Sequence, residues 1–233
     1  MNLGVIPGRL NSTRFPKKIV YPLKGKSVIQ HVYDNAKESK FLNHLVIAID
    51  SMETLSHLNK DSETILTSKG HESGTDRIAE VAIDLKYDII VNLQGDEPFI
   101  DRLSIEELLN GFNDKKVQMA SLMRDFKDKN ELNDSNNVKV IVDKDNYSIN
   151  FSRFPMNSYS DNYKHIGVYA FRKETLIEFS KMEKTLMEKK EKIECLRYIE
   201  NGKKIKMFKT DFSGVSIDTP EDLIKAEEYI RKQ

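Results

Sequence analysis

Cations and hydroxyls crowd one short stretch of this chain, in the order Pro7, Gly8, Arg9, Leu10, Asn11, Ser12, Thr13, Arg14, Phe15, Pro16, Lys17, Lys18. It follows the apolar run Leu3 to Ile6, and a loop at the carboxyl end of such a strand lies where open α/β sheets bind ligands. Arginine forks grip phosphate oxygens in pairs, and lysine neutralises charge growing on a leaving pyrophosphate. The stretch therefore suits a triphosphate. A solvated basic turn has the same composition, and neither GxxxxGK[ST] nor GxGxxG is present to decide between them.

Two further segments carry carboxylates. Asn92, Leu93, Gln94, Gly95, Asp96, Glu97 and Pro98 follow an apolar strand over 88–91, which sends Asp96 to the same sheet edge. Magnesium takes one or two protein carboxylates and fills its remaining positions with phosphate and water, so a lone aspartate there is sufficient. The second carboxylate is Asp218, in the run from Gly214 to Asp222. It also reads as a helix N-terminal charge, but Thr219 is the better cap, so Asp218 can be directed at a metal. A third segment, His71, Glu72, Ser73, Gly74, Thr75, Asp76 and Arg77, precedes a helix and offers backbone N–H groups to an anion or a base edge. Ser73 or Thr75 as an N-cap accounts for part of it, and leaves His71 and Arg77 to be explained.

These segments need a scaffold. Strand signals at Leu3 to Ile6, Leu45 to Ile49, Thr64 to Leu66 and Ile89 to Val91 alternate with helical stripes. One stripe is Val28, Ile29, Val32, Tyr33 and Ala36 behind an N-cap at Ser27, and another is Ile78, Val81, Ala82 and Leu85. The pattern predicts an α/β fold with a mainly parallel, doubly wound sheet. From about Val117 it becomes β-rich, with strands over 138–142, 147–151 and 166–171, and this reads as an inserted lobe. The chain returns to helix with Thr219 as cap, Pro220 in the first turn, Asp222 closing a capping box, and Leu223, Ala226 and Ile230 as the buried stripe. The charge-alternating run from Glu183 to Lys192 reads as a solvated helix face.

Composition narrows the function. The 233 residues carry 37 basic and 37 acidic side chains, so there is no net electrostatic footprint for nucleic acid or an anionic membrane. One cysteine, Cys195, excludes an intrachain disulfide and fits a reducing compartment. With neither a signal-peptide pattern nor a run of about 20 apolar residues, the expectation is a soluble, cytoplasmic protein.

Seven segments in register resemble the CMP-Kdo synthetase (3-deoxy-manno-octulosonate cytidylyltransferase) family: IPGRLNSTRFPKK, HESGTDR, VNLQGDEP, NVKVIVD, HIGVYAFR, IECLR and GVSIDTPEDL. The resemblance spans nearly the whole chain. It implies a glycosyltransferase-A-like nucleotidyltransferase acting as a homodimer, with one domain over 1–233. Within it, 1–116 and 203–233 would be the nucleotide-binding core and 117–202 the sugar-binding and dimerisation lobe. By position, Arg9, Ser12, Thr13, Arg14 and Lys18 would hold the triphosphate of CTP. Pro7, His71, Ser73, Gly74, Arg77 and Gln94 would frame the nucleotide, and Asp96 and Asp218 would bind Mg²⁺. Gln94, Arg153, His165 and Glu194 would face an acidic eight-carbon sugar, Arg153 pairing with its carboxylate. Lys18, Arg9, Arg14 and Asp96 would carry the catalysis, an in-line attack of the anomeric hydroxyl on the α-phosphorus with loss of pyrophosphate. The product would serve lipopolysaccharide or capsule synthesis.

Three departures bear on the acceptor. Gly8 and Lys17 stand where the family usually has alanine and glycine. Cys195 replaces a glutamine expected to meet the sugar, and reads as a small buried hydrophobe. The stretch between Arg153 and His165 is short. Kdo and close variants such as the 8-amino-8-deoxy form remain open, as do another acidic sugar and a non-catalytic CTP-binding role.

Overall fold

The computed structural model describes residues 1–12 and 15–232, and the chain divides into two compact units, Met1–Glu106 with Phe212–Gln233, and Glu107–Asp211.

The first unit is built on four parallel strands, β1 (Asn2–Gly8), β4 (His44–Ile49), β5 (Thr64–Leu66) and β6 (Ile89–Leu93), with a small hairpin of β2 (Pro22–Leu23) and β3 (Lys26–Ser27) beside them. The spatial order is β6, β1, β4, β5. After β1 the chain moves outward through β4 and β5, then returns to place β6 on the other flank of β1. The order reverses at β1, and the carboxyl ends of β1 and β6 flank the crevice that such a reversal opens. β1 runs two residues beyond the apolar run that ends at Ile6. Its β6 register ends at Val5, whereas its β4 register continues through Pro7 and Gly8, so the proline sits where the strand has one neighbour and its missing N–H costs little.

Helices form where local chemistry directs them. α1 (Val28–Lys37) starts at Ser27, whose hydroxyl accepts the Gln30 N–H, and buries Val28, Ile29, Val32, Tyr33 and Ala36. α2 (Gly74–Ile83) opens with a capping box between Ser73 and Asp76 and packs on β1 and β6. α3 (Arg102–Asn110) carries the chain onward, its first turn held by the Ser104 N–H on Asp101 at 2.7 Å.

In the second unit β7 (Met119–Arg124) is paired with antiparallel β10 (Tyr163–Arg172) and parallel β11 (Lys206–Lys209). β8 (Lys139–Val142) and β9 (Ser148–Ser152) extend the sheet from β10. α4 (Lys129–Asn133), α5 (Lys173–Ser180), α6 (Leu186–Glu191) and α7 (Cys195–Glu200) complete the unit. The charge-alternating run 183–192 is mostly solvated, as expected, with one correction at Glu188. Glu188 is buried and meets Arg197 through two bonds, 2.8 and 2.7 Å, because a guanidinium fork desolvated by packing needs a carboxylate beside it.

α8 (Pro220–Arg231) returns to the first unit with the Thr219–Asp222 capping box and Pro220 in its first turn, as expected. Leu223 and Ala226 pack with Leu23, Val28 and Ile217. Among the described residues, no helix is long and apolar enough to cross a membrane.

One charge cluster in the second unit is open to test. Burial raises the Glu131 carboxyl, but Arg124, the Lys127 N–H and Lys164 outweigh it and bring it down to about 2. A carboxylate held lower in the folded state stabilises above its unfolded pKa, and that contribution is lost as pH falls toward 2. Glu131→Gln is expected to lower stability by about 3 kcal/mol at pH 7, since it strands the buried Arg124. Urea melts should show the gap to wild type narrowing as pH drops below about 4.5.

Candidate active site

Three loops of the first unit meet at the strand-order reversal. The loop after β1 closes on itself, the Lys17 N–H reaching the Leu10 carbonyl at 2.9 Å and the Ser12 hydroxyl donating to the Phe15 carbonyl. It is moored to the sheet by Asp50, at the end of β4, which accepts the Leu10 N–H at 3.3 Å. The turn then tightens into a short 3₁₀ segment, Lys18–Val20, with Ile19 and Val20 buried, and this directs Lys18 inward.

Lys18 meets both expected metal ligands. Its Nζ lies 2.5 Å from Asp96 Oδ2 and 2.7 Å from Asp218 Oδ1, and its side chain is only 12 % exposed. Burial works against the charged ammonium, but the two carboxylates overcome it and hold its pKa above the ordinary lysine value. The backbone sets this geometry. The Ile217 N–H donates to the Asp96 carbonyl at 2.9 Å, and the Ser216 hydroxyl bonds the buried Glu97, so the segment before α8 is laid directly on the Asp96 loop. Gly95 lets the Asp96 loop lie against the end of β1, because a Cβ there would stand 2.8 Å from the Pro7 carbonyl oxygen.

The residues expected to frame a nucleotide are partly assembled. A Cβ on Gly74 would lie 3.2 Å from Pro7 Cγ and 3.9 Å from Gln94 Nε2, which groups the α2 N-terminus with the ends of β1 and β6. Ser73 spends its hydroxyl on the Asp76 N–H as the helix cap. His71 is bonded through Nε2 to Glu80, one face along α2. Arg9 is exposed at the loop, and Ser12 is half-buried. Thr13 and Arg14 lie outside the described residues. Arg77 is 1 % exposed and faces inward, donating to Thr67 Oγ1 at 2.5 Å and the Ser68 carbonyl at 3.1 Å, with Asp50 at 3.7 Å. Its guanidinium thus braces the ends of β4 and β5 against α2. Asp50 was not singled out from sequence; a lone acidic residue after an apolar strand is the only signal it offers.

In the second unit the three residues expected at the sugar have separate partners. Arg153 donates from Nε to the Glu191 carbonyl at 2.8 Å and from a terminal nitrogen to the Ser135 carbonyl at 3.0 Å. Its own carbonyl is gripped by Lys139, which is fully buried and also bonds the carbonyls of Asp134 and Asn137, at 2.7 to 2.8 Å. His165 is buried beside Phe151 and Tyr169, its Nε2 2.9 Å from Ser121 Oγ. Burial pushes its pKa down to about 4, so the ring is neutral at pH 7. Glu194 approaches Arg197 at 3.3 Å. Cys195 is a packing residue, and burial pushes its thiol up to about 12, well above any thiolate role at neutral pH. The short stretch before His165 is closed by Asn162, which donates to the Met156 and Ser158 carbonyls and accepts the Met156 N–H.

The departure at Lys17 has a physical signature. Its φ is 60°, left-handed, where glycine is unstrained and a lysine is not, and its exposed ion pair with Glu53 at 2.6 Å offsets little. Lys17→Gly should stabilise the protein by about 1 kcal/mol, seen as a raised urea midpoint at unchanged m. A lowered midpoint would show that the ion pair outweighs the backbone strain.

Comparison with known proteins identifies the family. Residues 3–205 match the cytidylyltransferase family model. The 3-deoxy-manno-octulosonate cytidylyltransferases of Christiangramia forsetii and Flavobacterium johnsoniae are each 42% identical to this chain, covering 98% of it and 96% and 98% of themselves. The solved structure of CMP:2-keto-3-deoxy-manno-octonic acid synthetase complexed with CTP superposes with a TM-score of 0.91 at 33% identity, over 99% of this chain and 98% of that one. The match runs through both compact units and takes in the loops that bring Lys18, Asp96 and Asp218 together. The chain therefore belongs to the 3-deoxy-manno-octulosonate cytidylyltransferase family of nucleotidyltransferases.

Proposed function

We propose that this enzyme transfers CMP from CTP to the anomeric hydroxyl of 3-deoxy-manno-octulosonate, releasing pyrophosphate. The observation that carries the reading is the convergence of Lys18, Asp96 and Asp218 where the sheet order reverses, beside a loop bearing Arg9. Near-full-length relatives named for this reaction, and the CTP complex of a protein so similar in structure, support it.

Mg²⁺ fits the donor set. Two carboxylates from different loops already share one cation, and all-oxygen donors suit a hard ion that completes its shell with phosphate and water. Asp96 and Asp218 would hold it. When bound, it supplies positive charge against the triphosphate oxygens.

The chain's own groups do the rest. Arg9, Ser12 and Lys18 bind the triphosphate, with Thr13 and Arg14 assigned to it by motif. Gly74, Gln94 and Pro7 form the wall against which the nucleotide lies. The sugar oxygen bonds to the α-phosphorus as the bond to pyrophosphate breaks, and cationic side chains stabilise the charge that shifts to the departing oxygens. No side chain is assigned as general base. Arg153 is assigned by motif to the acceptor's carboxylate; its backbone is fixed by buried Lys139, and its guanidinium bonds the Glu191 and Ser135 carbonyls. His165, neutral, contributes hydrogen bonding and shape rather than charge.

The same reading makes the protein a cytoplasmic homodimer.

The direct test is pyrophosphate release from CTP and Mg²⁺ with 3-deoxy-manno-octulosonate, its 8-amino-8-deoxy form and N-acetylneuraminate offered separately. Release with an octulosonate is expected; silence with all three beside an active control enzyme would reject the reading. Asp96→Asn and Asp218→Asn should each lower turnover about 10²- to 10³-fold with the fold retained by circular dichroism. Wild-type turnover in either variant would remove that residue from the metal site.

A further inference from the structure

We propose that the Lys18 ammonium competes with a divalent cation for the Asp96 and Asp218 carboxylates, and that a triphosphate must draw it away before both can share the metal. The inference rests on reading that carboxylate pair as the metal site.

A single ammonium nitrogen lies 2.5 Å from one carboxylate and 2.7 Å from the other. It therefore stands between them, where a cation shared by both would have to stand, and a divalent ion cannot sit against an ammonium in the same gap. Without a cation, two carboxylates held this close by the Ile217 to Asp96 backbone bond would repel each other. Lys18 removes that repulsion.

The residue type suits the exchange. A lysine head is a compact point charge on a flexible stem, able to swing as a guanidinium fork braced on several acceptors is not. The ammonium is largely buried, so it does not leave for water without a new anionic partner. The Arg9 loop from which Lys18 emerges is where triphosphate oxygens would arrive. Nucleotide and metal then bind with positive coupling, because the first ligand relocates the group that excludes the second, and the coupling is reciprocal.

The test is Mn²⁺ titration of nucleotide-free protein, followed by the paramagnetic signal of unbound Mn²⁺, for wild type, Lys18→Met and the double variant Lys18→Met with Asp96→Asn. The single variant should bind Mn²⁺ about tenfold more tightly than wild type, and the double variant should lose that gain. In EDTA the single variant should melt below wild type, and Mn²⁺ should raise its melting temperature by more. Lys18→Gln, nearly isosteric and uncharged, serves the same comparison if Lys18→Met is recovered unfolded. Mn²⁺ affinity no higher than wild type in either neutral variant would overturn the proposal, and lost stability alone would mean that Lys18 is a structural ion pair only. A double variant that binds as tightly as Lys18→Met would instead take the metal away from Asp96, which is failure of the metal reading itself.

Discussion

The ammonium of Lys18 bonds carboxylates 78 and 200 residues further along the chain, and the arrangement of the first unit can be understood as what is needed to bring these three groups together. A largely buried ammonium is tolerable only with anionic partners held at hydrogen-bonding distance, since left without them it would be a costly buried charge. Each is accordingly fixed by backbone. Lys18 follows a turn closed by the Leu10 carbonyl, Asp96 follows the end of β6, and Asp218 directly precedes a helix cap. Asp50 and Arg77 form a deeper layer that orients the β1 loop without reaching its surface.

Much of the scaffold was legible because it rests on local rules. Ser27 and Thr219 cap their helices as their neighbours imply, and the Thr64–Leu66 strand falls where its apolar run predicts. The site residues could be read by type and motif, since Lys18, Asp96 and Asp218 each stand in a segment rich in chemistry. Their mutual bonding could not, because nothing local to Lys18 specifies which distant carboxylates it will meet. Arg77 looked like a ligand-facing cation from its place before a helix stripe, whereas packing turns it inward. Glu188, in a run of alternating charge, went the same way. Lys139 gave no warning at all: a lysine in an apolar strand has no sequence signature for three carbonyl partners.

The two departures in the β1 loop have different costs. At Gly8 a methyl group would stand 2.8 Å from Ile29 Cδ1, the far end of a flexible side chain, so glycine and isoleucine complement each other here. At Lys17 the strain is in the backbone, and no neighbouring side chain can relieve it. The first is a matter of packing and the second of conformation, yet both leave Lys18 directed inward.

The first unit is discontinuous, assembled from residues up to Glu106 and residues from Phe212 onward, with Asp218 in the returning piece. A ribosome adding about 5–20 residues per second needs roughly 5–20 s to traverse the intervening stretch. Throughout that interval the nascent chain carries Lys18 and Asp96 without Asp218, and α8 is not yet available to cover Leu23 and Val28. Synthesis thus builds in a delay between making the nucleotide loops and completing the site they serve, and a polypeptide released early lacks the closing carboxylate however well its strands have paired.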